Sequence, residues 1–237
     1  MKSLIITGAT EDMFPVLDLT LESKQKYASK HNYDLLVKRS WNGVAKFHFT
    51  QYEDQLLGYH KPLLGILGFL RVLICFEQLK DYDVVMWLDG DSVVTNSDIT
   101  IEEIINDDNA CFFASYDWAV GVRSFSTGNF AIKRHSKTQE VYEQFLETSK
   151  SVIGNIMQEQ RTLNLIFSVH SNLSSCLKIV PRKFLNSVPK TQEQMNTWKG
   201  RPTIEEPWNS ECFIAHLTGL TQEERLSILT NGTLTYK

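Results

Sequence analysis

Residues 83–92 read D-V-V-M-W-L-D-G-D-S. Asp83–Leu88 carries a continuous apolar run of strand length, bounded by Asp81 on one side and Asp89-Gly90-Asp91 on the other. Without a polar alternation such a strand has no solvent face, so it belongs in the middle of a parallel sheet covered on both sides. Asp89 and Asp91 stand at its carboxyl end, where open α/β sheets place their ligands. Side chains at i and i+2 of an extended chain point the same way, and Gly90 between them lets a ligand come close. Two carboxylates so near each other repel unless a cation sits between them. A hard divalent ion accepts such oxygens and keeps positions free for phosphate. The plain alternative is a solvated D-G turn after a strand.

Outward from this centre, the pattern alternates strand and helix. Leu4–Thr7 reads as a short strand ending at Gly8, Val16–His31 as a helix, and Tyr33–Val37 as a second strand. Residues 40–60 are aromatic and irregular, which predicts a loop. Lys61-Pro62 opens an apolar helix, with proline suited to the first turn. After the acidic pair, Ala110–Ser115, Asn129–Ile132 and Leu177–Val180 read as strands, and 138–148 and 156–167 as helices. In the first of those helices Val141, Tyr142, Phe145 and Leu146 fall at helix spacing. Residues 186–210 hold three prolines, suiting a loop over a site, and Cys212–Leu217 is again apolar before a short helix from Thr221. Alternation of this kind predicts one α/β domain over 1–237.

Bulk properties narrow the function. A formal net charge of −4, with no basic run of five residues, leaves no electrostatic footprint for nucleic acid. The four cysteines are widely spaced and form no C-x-x-C pair, so small buried thiols are favoured over disulfides or zinc. The start, M-K-S-L-I-I-T-G, lacks the long apolar core of a signal peptide. Gly65, Gly68, Arg71 and Glu77 interrupt the most apolar stretch, Pro62 to Leu79, which suits a buried helix and not a membrane span. The expectation is a cytoplasmic protein with no integral membrane segment.

The letters D-G-D-S-V also fit the D-x-D-x-[T/V] motif of haloacid-dehalogenase-type phosphatases, with Asp89 as nucleophile. That motif belongs near the first strand and needs a later acidic pair after an apolar strand. Here a strand and two helices precede it, and Asp107-Asp108 comes before its strand. I-T-G-A-T resembles a dinucleotide-binding start, but no glycine follows at the needed spacing.

Further segments resemble a family. Residues 61–91 are similar to the lysine, helix, strand and acidic pair of GT-A glycosyltransferases, closest to the galactosyl/mannosyl/xylosyltransferase family that includes plant xyloglucan xylosyltransferases. S-T-G-N-F-A-I (126–132) resembles that family's N-T-G-x-F-L-I strand, and E-Q-R-T-L-N (159–164) its D-Q-x-x-L motif. W-N-S-E-C-F-I-A-H-L-T-G (208–219) resembles W-x-x-G-D-F-V-x-H-F-x-G, and Asn186-Ser187 before Pro189 resembles the family's Asn near Tyr-Pro. The pieces keep the family's order over about residues 55–220.

The resemblance implies a single GT-A-type, Rossmann-like nucleotide-diphospho-sugar transferase domain, α/β, with a central mixed, mostly parallel sheet flanked by helices. About 1–95 would be the nucleotide-binding half and about 96–237 the acceptor-binding half. It implies Asp89, Asp91 and His216 as ligands to Mn²⁺, with Mg²⁺ as the substitute; imidazole beside carboxylates suits Mn²⁺ better than Ca²⁺. Taken alone, His216 among apolar neighbours reads more readily as a hydrogen-bonded core residue, and the resemblance of its F-x-x-H-x-x-G context reverses that reading. Thr7, Gly8 and Ala9 would lie against the nucleoside. Asp89, Gly90, Thr127, Gly128, Asn129 and Gly219 would line the nucleotide sugar. Lys61 would pair with phosphate or else be a snorkelling surface lysine. Asp117 and Trp118 would meet donor or acceptor sugar, or be surface loop residues.

The reaction implied is hexosyl or pentosyl transfer from a nucleotide diphosphate, UDP above all, to a hydroxyl of a glycan or glycoconjugate. Gln160 would sit beside the anomeric carbon in a retaining enzyme. An inverting one needs a base, for which Glu159 or Asp117 is available. Glu159 replaces the family's Asp, no Lys-Pro follows Gly219, which leaves Arg225 or Lys61 for the phosphate charge, and the family's amino-terminal anchor is not seen.

Overall fold

Val84 to Leu88 is fully buried, and its alternate residues enter two different cores. In this computed structural model, which describes residues 1–39, 62–117, 124–152, 158–190 and 207–237, the run forms β3 (Val84–Asp89). It pairs in parallel with β1 (Ser3–Gly8) and antiparallel with β6 (Phe125–Lys133). β2 (Asp34–Lys38) extends the sheet beyond β1, and β5 (Phe112–Tyr116) with β7 (Leu177–Ile179) extend it beyond β6. The order is β2-β1-β3-β6-β5-β7, and β6 alone among the six runs against the rest. The expected mixed, mostly parallel sheet is the one found.

Helices cover both faces. On one, α1 (Phe14–His31) contributes Tyr27 and Ala28 to a core with Ile5, Met86, Leu88 and Phe113. On the other, α2 (Pro62–Gln78), α4 (Thr138–Val152) and α5 (Gln158–Val169) enclose Ile6, Val85, Trp87, Phe112 and Phe130. The period-two alternation of β3 thus feeds both cores, as an unpolarised strand must. The most apolar helix, α2, is buried within this layer, and among the described residues no helix is long and apolar enough to cross a membrane.

A second, two-stranded sheet of β4 and β8 and the segment after it shape the site. β4 (Ser92–Val94) follows β3 after a turn at Gly90-Asp91 and pairs antiparallel with β8 (Ile214–His216), so that Ser92 faces His216. Short helices α3 (Ile101–Ile104) and α6 (Arg182–Leu185) lie between these strands in the chain. Gly219 then adopts φ 72, a left-handed conformation that favours glycine. Thr221 and Glu224 close a capping box that starts α7 (Gln222–Thr230). All four cysteines are free and buried, as read from their spacing.

Candidate active site

The strand run ends at Asp89, so the acidic pair straddles a strand end and a turn and not one extended segment. The turn lies tight against β1. A Cβ on Gly90 would stand 2.9 Å from the Gly8 carbonyl oxygen and 3.1 Å from Ala9 Cβ. Gly90 is therefore needed for contact with the end of β1, a different reason from the ligand approach expected for it.

His216 arrives from the far end of the chain. Its main chain is fixed by the β4–β8 pairing, by its N–H to the Ser187 carbonyl at 2.7 Å, and by Leu217 N–H to the Asp91 carbonyl at 3.1 Å. Its Nε2 stands 3.7 Å from Asp89 Oδ2 and 3.5 Å from Asp91 Oδ1. One ligand atom from each of the three lies within 4.8 Å of the others. Nδ1 meets Asn186 Oδ1 at 2.9 Å, and since a carbonyl oxygen only accepts, Nδ1 carries a proton. Nε2 is then the nitrogen turned toward the carboxylates, and a cation that displaces its proton would find its lone pair there, which is how outer partners commonly orient a metal-binding imidazole. Gly128 completes the space: a Cβ there would come within 2.5 Å of His216 Cε1 and 3.0 Å of Asp89 Oδ2. Two carboxylates and an oriented imidazole make a donor set that fits Mn²⁺ or a similar divalent ion.

Without an ion the same groups act on one another as charges. Burial would lower the His216 imidazolium, but Asp89 and Asp91 outweigh it and hold its pKa at about 9. Burial would raise the Asp91 carboxyl, yet His216, Arg225 and Lys24 bring it down to about 2. Arg225, one turn into α7, places Nε 3.1 Å from Asp91 Oδ2 and also donates to the Leu217 carbonyl.

A second network adjoins the first. Arg71 of α2 donates from Nη1 to Asp89 Oδ1 at 2.8 Å, and from Nη2 to Glu159 Oε1 at 2.6 Å and Thr127 Oγ1 at 3.1 Å. Trp87 Nε1 donates to the same Asp89 oxygen at 2.7 Å. One oxygen of Asp89 is thereby anchored, and Oδ2 is the one nearest His216. Thr127 Oγ1 also donates to Glu159 Oε1 at 2.9 Å. Glu159 is 4% exposed and doubly engaged, an arrangement suited to positioning and poorly suited to a general base. Gly68 makes this approach possible, because a side chain there would run into the Glu159 carboxylate. Gln160, next along α5, donates its amide to Asp117 Oδ2 at 2.9 Å and Ser124 Oγ at 3.3 Å, which turns its carbonyl oxygen away from them. Asn129 Oδ1 accepts from Asp89 N–H and from Ser92 Oγ, tying β6 to both sides of the acidic turn.

Beneath the turn lies a residue the sequence reading did not single out. Lys24 of α1 is wholly buried and donates to the Asp89 carbonyl at 3.0 Å, the Gly90 carbonyl at 3.4 Å and Thr20 Oγ1 at 3.0 Å. Burial pulls its pKa down to about 7, with Asp91 and Asp89 opposing. Its signal was in the pattern: Val16, Leu17, Thr20, Lys24, Tyr27 and Ala28 form the buried stripe of α1. Arg71 was likewise visible as a lone cation in the most apolar helix.

Of the other expected residues, Thr7 and Gly8 are buried at the end of β1 beside Asp89, and Ala9 is half-buried there. Thr7 Oγ1, Asn129 Nδ2 and Arg71 Nε are buried without a hydrogen-bond partner among the described residues. Gly219 is exposed, and its positive φ accounts for it. Lys61, Trp118 and most of the expected loops at 40–60 and 186–210 lie outside the described residues. Asp107 pairs with Lys178 and Asp108 with Lys133, at the opposite edge of the sheet from Asp89. The phosphatase reading thus lacks its second acidic pair beside the nucleophile.

No protein-family model matches the chain, and no curated protein matches it by sequence. Solved structures match it by fold, several of them described as glycosyltransferases. One is a glycosyltransferase involved in glycosylation of the major capsid of PBCV-1: TM-score 0.64, 15% identity, 97% of this chain and 98% of that one covered. The galactosyltransferase LgtC, solved with donor and acceptor sugar analogues, gives TM-score 0.56 and 16% identity over 99% and 97% of the two chains. Mouse xyloside xylosyltransferase 1 gives 0.55 and 8% over 92% and 98%. The fold is that of GT-A glycosyltransferases.

Proposed function

We propose that this chain is a metal-dependent glycosyltransferase that moves a sugar from a nucleotide-diphosphate donor, UDP-linked, to a hydroxyl of a glycan or glycoconjugate. One observation carries the reading: His216, held at Nδ1 by Asn186, turns Nε2 toward two carboxylates at the carboxyl end of the central strand. The unpartnered polar atoms of Thr7, Asn129 and Arg71 at the same end support a polar ligand there. So does the fold, whose neighbours include an enzyme solved with donor and acceptor analogues.

Asp89, Asp91 and His216 hold the divalent ion, Mn²⁺ in preference to Mg²⁺. Bound there, it supplies Lewis acidity for the charge that develops on the departing diphosphate. Residues 1–95 carry the nucleotide side of the site, through Thr7, Gly8 and Ala9. Residues 96–237 carry His216 and the acceptor side. Arg71, paired with Asp89 and Glu159, fixes the carboxylate oxygens and the Thr127 hydroxyl facing the donor, with Gly128 and Asn129 beyond it. The Gln160 carbonyl oxygen, aimed by the bonds from its amide to Asp117 and Ser124, stabilises positive character at the anomeric carbon. An active-site Gln-to-Glu mutant of LgtC, itself 15% identical with TM-score 0.55, supports placing a glutamine in the active site. Lys61, just before α2, would meet phosphate, and Gly219 lets the loop after His216 turn toward it. The resemblance of motifs favours the family that includes the plant xyloglucan xylosyltransferases.

The test is to mix the protein with Mn²⁺ and a panel of nucleotide sugars and follow release of the nucleoside diphosphate. Turnover with at least one donor is expected, lost on chelation and lost in a folded Asp91→Ala variant. Release that ignores both changes would remove the metal site from the reaction.

A further inference from the structure

A second cluster of metal-type ligands lies away from this site. Cys111 precedes β5, Cys176 precedes β7 and His135 follows β6, and one ligand atom from each falls within 4.8 Å of the other two. Because β5 runs parallel to β3, these residues stand at the edge of the sheet opposite Asp89. Both cysteines are buried, and the histidine is half-buried. We propose that Cys111, Cys176 and His135 form a site for a soft divalent ion of the zinc class, with the outward position left to water.

The backbones around the cluster are already fixed. Cys111 N–H donates to the Cys176 carbonyl at 2.8 Å, and Lys133 N–H donates to the Cys111 carbonyl at 2.8 Å. His135 is held at the start of α4 by its N–H to Thr138 Oγ1 at 3.0 Å and by Thr138 N–H to its own carbonyl at 3.0 Å. Ligands anchored on three strand ends lose little freedom when an ion joins them. Zinc takes thiolate sulfur at about 2.3 Å and imidazole nitrogen at about 2.0 Å, so small side-chain rotations close a set of this spacing.

The chemistry favours sulfur-loving ions over the hard ions suited to the carboxylate site. Burial pushes Cys111 up to about 12 and Cys176 upward as well. They are therefore protonated in the free protein. Binding replaces two S–H protons by the ion and releases both to solvent. His135 Nδ1 accepts from the Lys137 N–H at 3.2 Å. Coordination through Nδ1 gives up that bond. Coordination through Nε2 gives it up too, with the ring proton moving to Nδ1. The ion would pin the starts of β5 and β7 to the end of β6.

The experiment uses the full chain, reduced and freed of metal, titrated with Co²⁺ and followed in the near-ultraviolet and visible. The expected result is a thiolate-to-cobalt charge-transfer band that saturates at one ion per chain and is bleached by Zn²⁺. The Asp89–Asp91–His216 site has no sulfur, so the band survives Asp91→Asn. Cys176→Ser abolishes it, and His135→Gln, at a half-buried position that spares the core, weakens Co²⁺ binding at least tenfold. Absence of the band from folded wild-type protein overturns the site. So does a Cys111–Cys176 disulfide, or a band unaffected by His135→Gln.

Discussion

At the scale of single residues, the site depends on which atoms are already spoken for. Asn186 occupies Nδ1 of His216 and so decides that Nε2 faces the carboxylates. Asn186→Ala should leave the fold intact but raise the metal concentration needed for half-maximal turnover about 10- to 100-fold, the usual cost of losing such a partner. An unchanged metal dependence would make Asn186 a packing residue. Lys24 makes a different case. Burying an ammonium carries a desolvation penalty of several kcal/mol, and its bonds go to carbonyls of the acidic turn instead of to a carboxylate. Lys24→Met should therefore keep or raise the Tm while lowering metal-dependent turnover. A large fall in Tm with activity per folded molecule retained would show that Lys24 serves the fold alone. The acidic pair and His216, which the structure brings together, were legible because each sits in a local run of recognisable letters. Arg71 and Lys24 showed only as lone cations in apolar helix patterns, and their roles were not legible, because their partners come from other elements.

Among elements, the pairing of β4 with β8 is what carries His216 to the acidic turn. Neither strand exceeds three residues, too short for alternation to register, so the sequence showed the two ends of the site without the link between them. β6 also proved longer than read: its first half, Phe125–Gly128, includes the polar Ser126-Thr127-Gly128. Those residues break the apolar pattern because they line the site. Gly128 shows the constraint most directly, since an added Cβ meets the imidazole of His216 at 2.5 Å. Gly128→Ala should displace that ring and weaken metal activation by about tenfold or more, with a stability cost of about 1–3 kcal/mol from overpacking. Wild-type metal titration in this variant would mean that the ring has room to spare.

Across the whole molecule, one guanidinium joins the layers. Arg71 belongs to α2, and its partners Asp89, Thr127 and Glu159 belong to β3, β6 and α5. Burial would lower its pKa, but Asp89 and Glu159 raise it, so it is charged throughout the working range. Its side chain is 18% exposed and that of Glu159 is 6%, enough burial for the loss of one partner to leave the other stranded. Arg71→Met should cost about 3–5 kcal/mol and release Asp89 from its fixed orientation. Equal chemical denaturation midpoints for variant and wild type would contradict that account. The layering of helices around a sheet was readable from alternation and from the unbroken β3 run; its mixed character came only with the family resemblance, since the run alone pointed to a parallel sheet and β6 pairs with β3 antiparallel. The charge network inside it was not readable, since it exists only where four elements meet.

The central claim is that Asp89, Asp91 and His216 share one cation. Crystals soaked with Mn²⁺ and UDP, measured for anomalous scattering, test it most directly. A single peak within bonding distance of Asp89 Oδ2, Asp91 Oδ1 and His216 Nε2, touching the diphosphate, is the predicted result. A fully ordered site with bound UDP and no peak among these three atoms would contradict it.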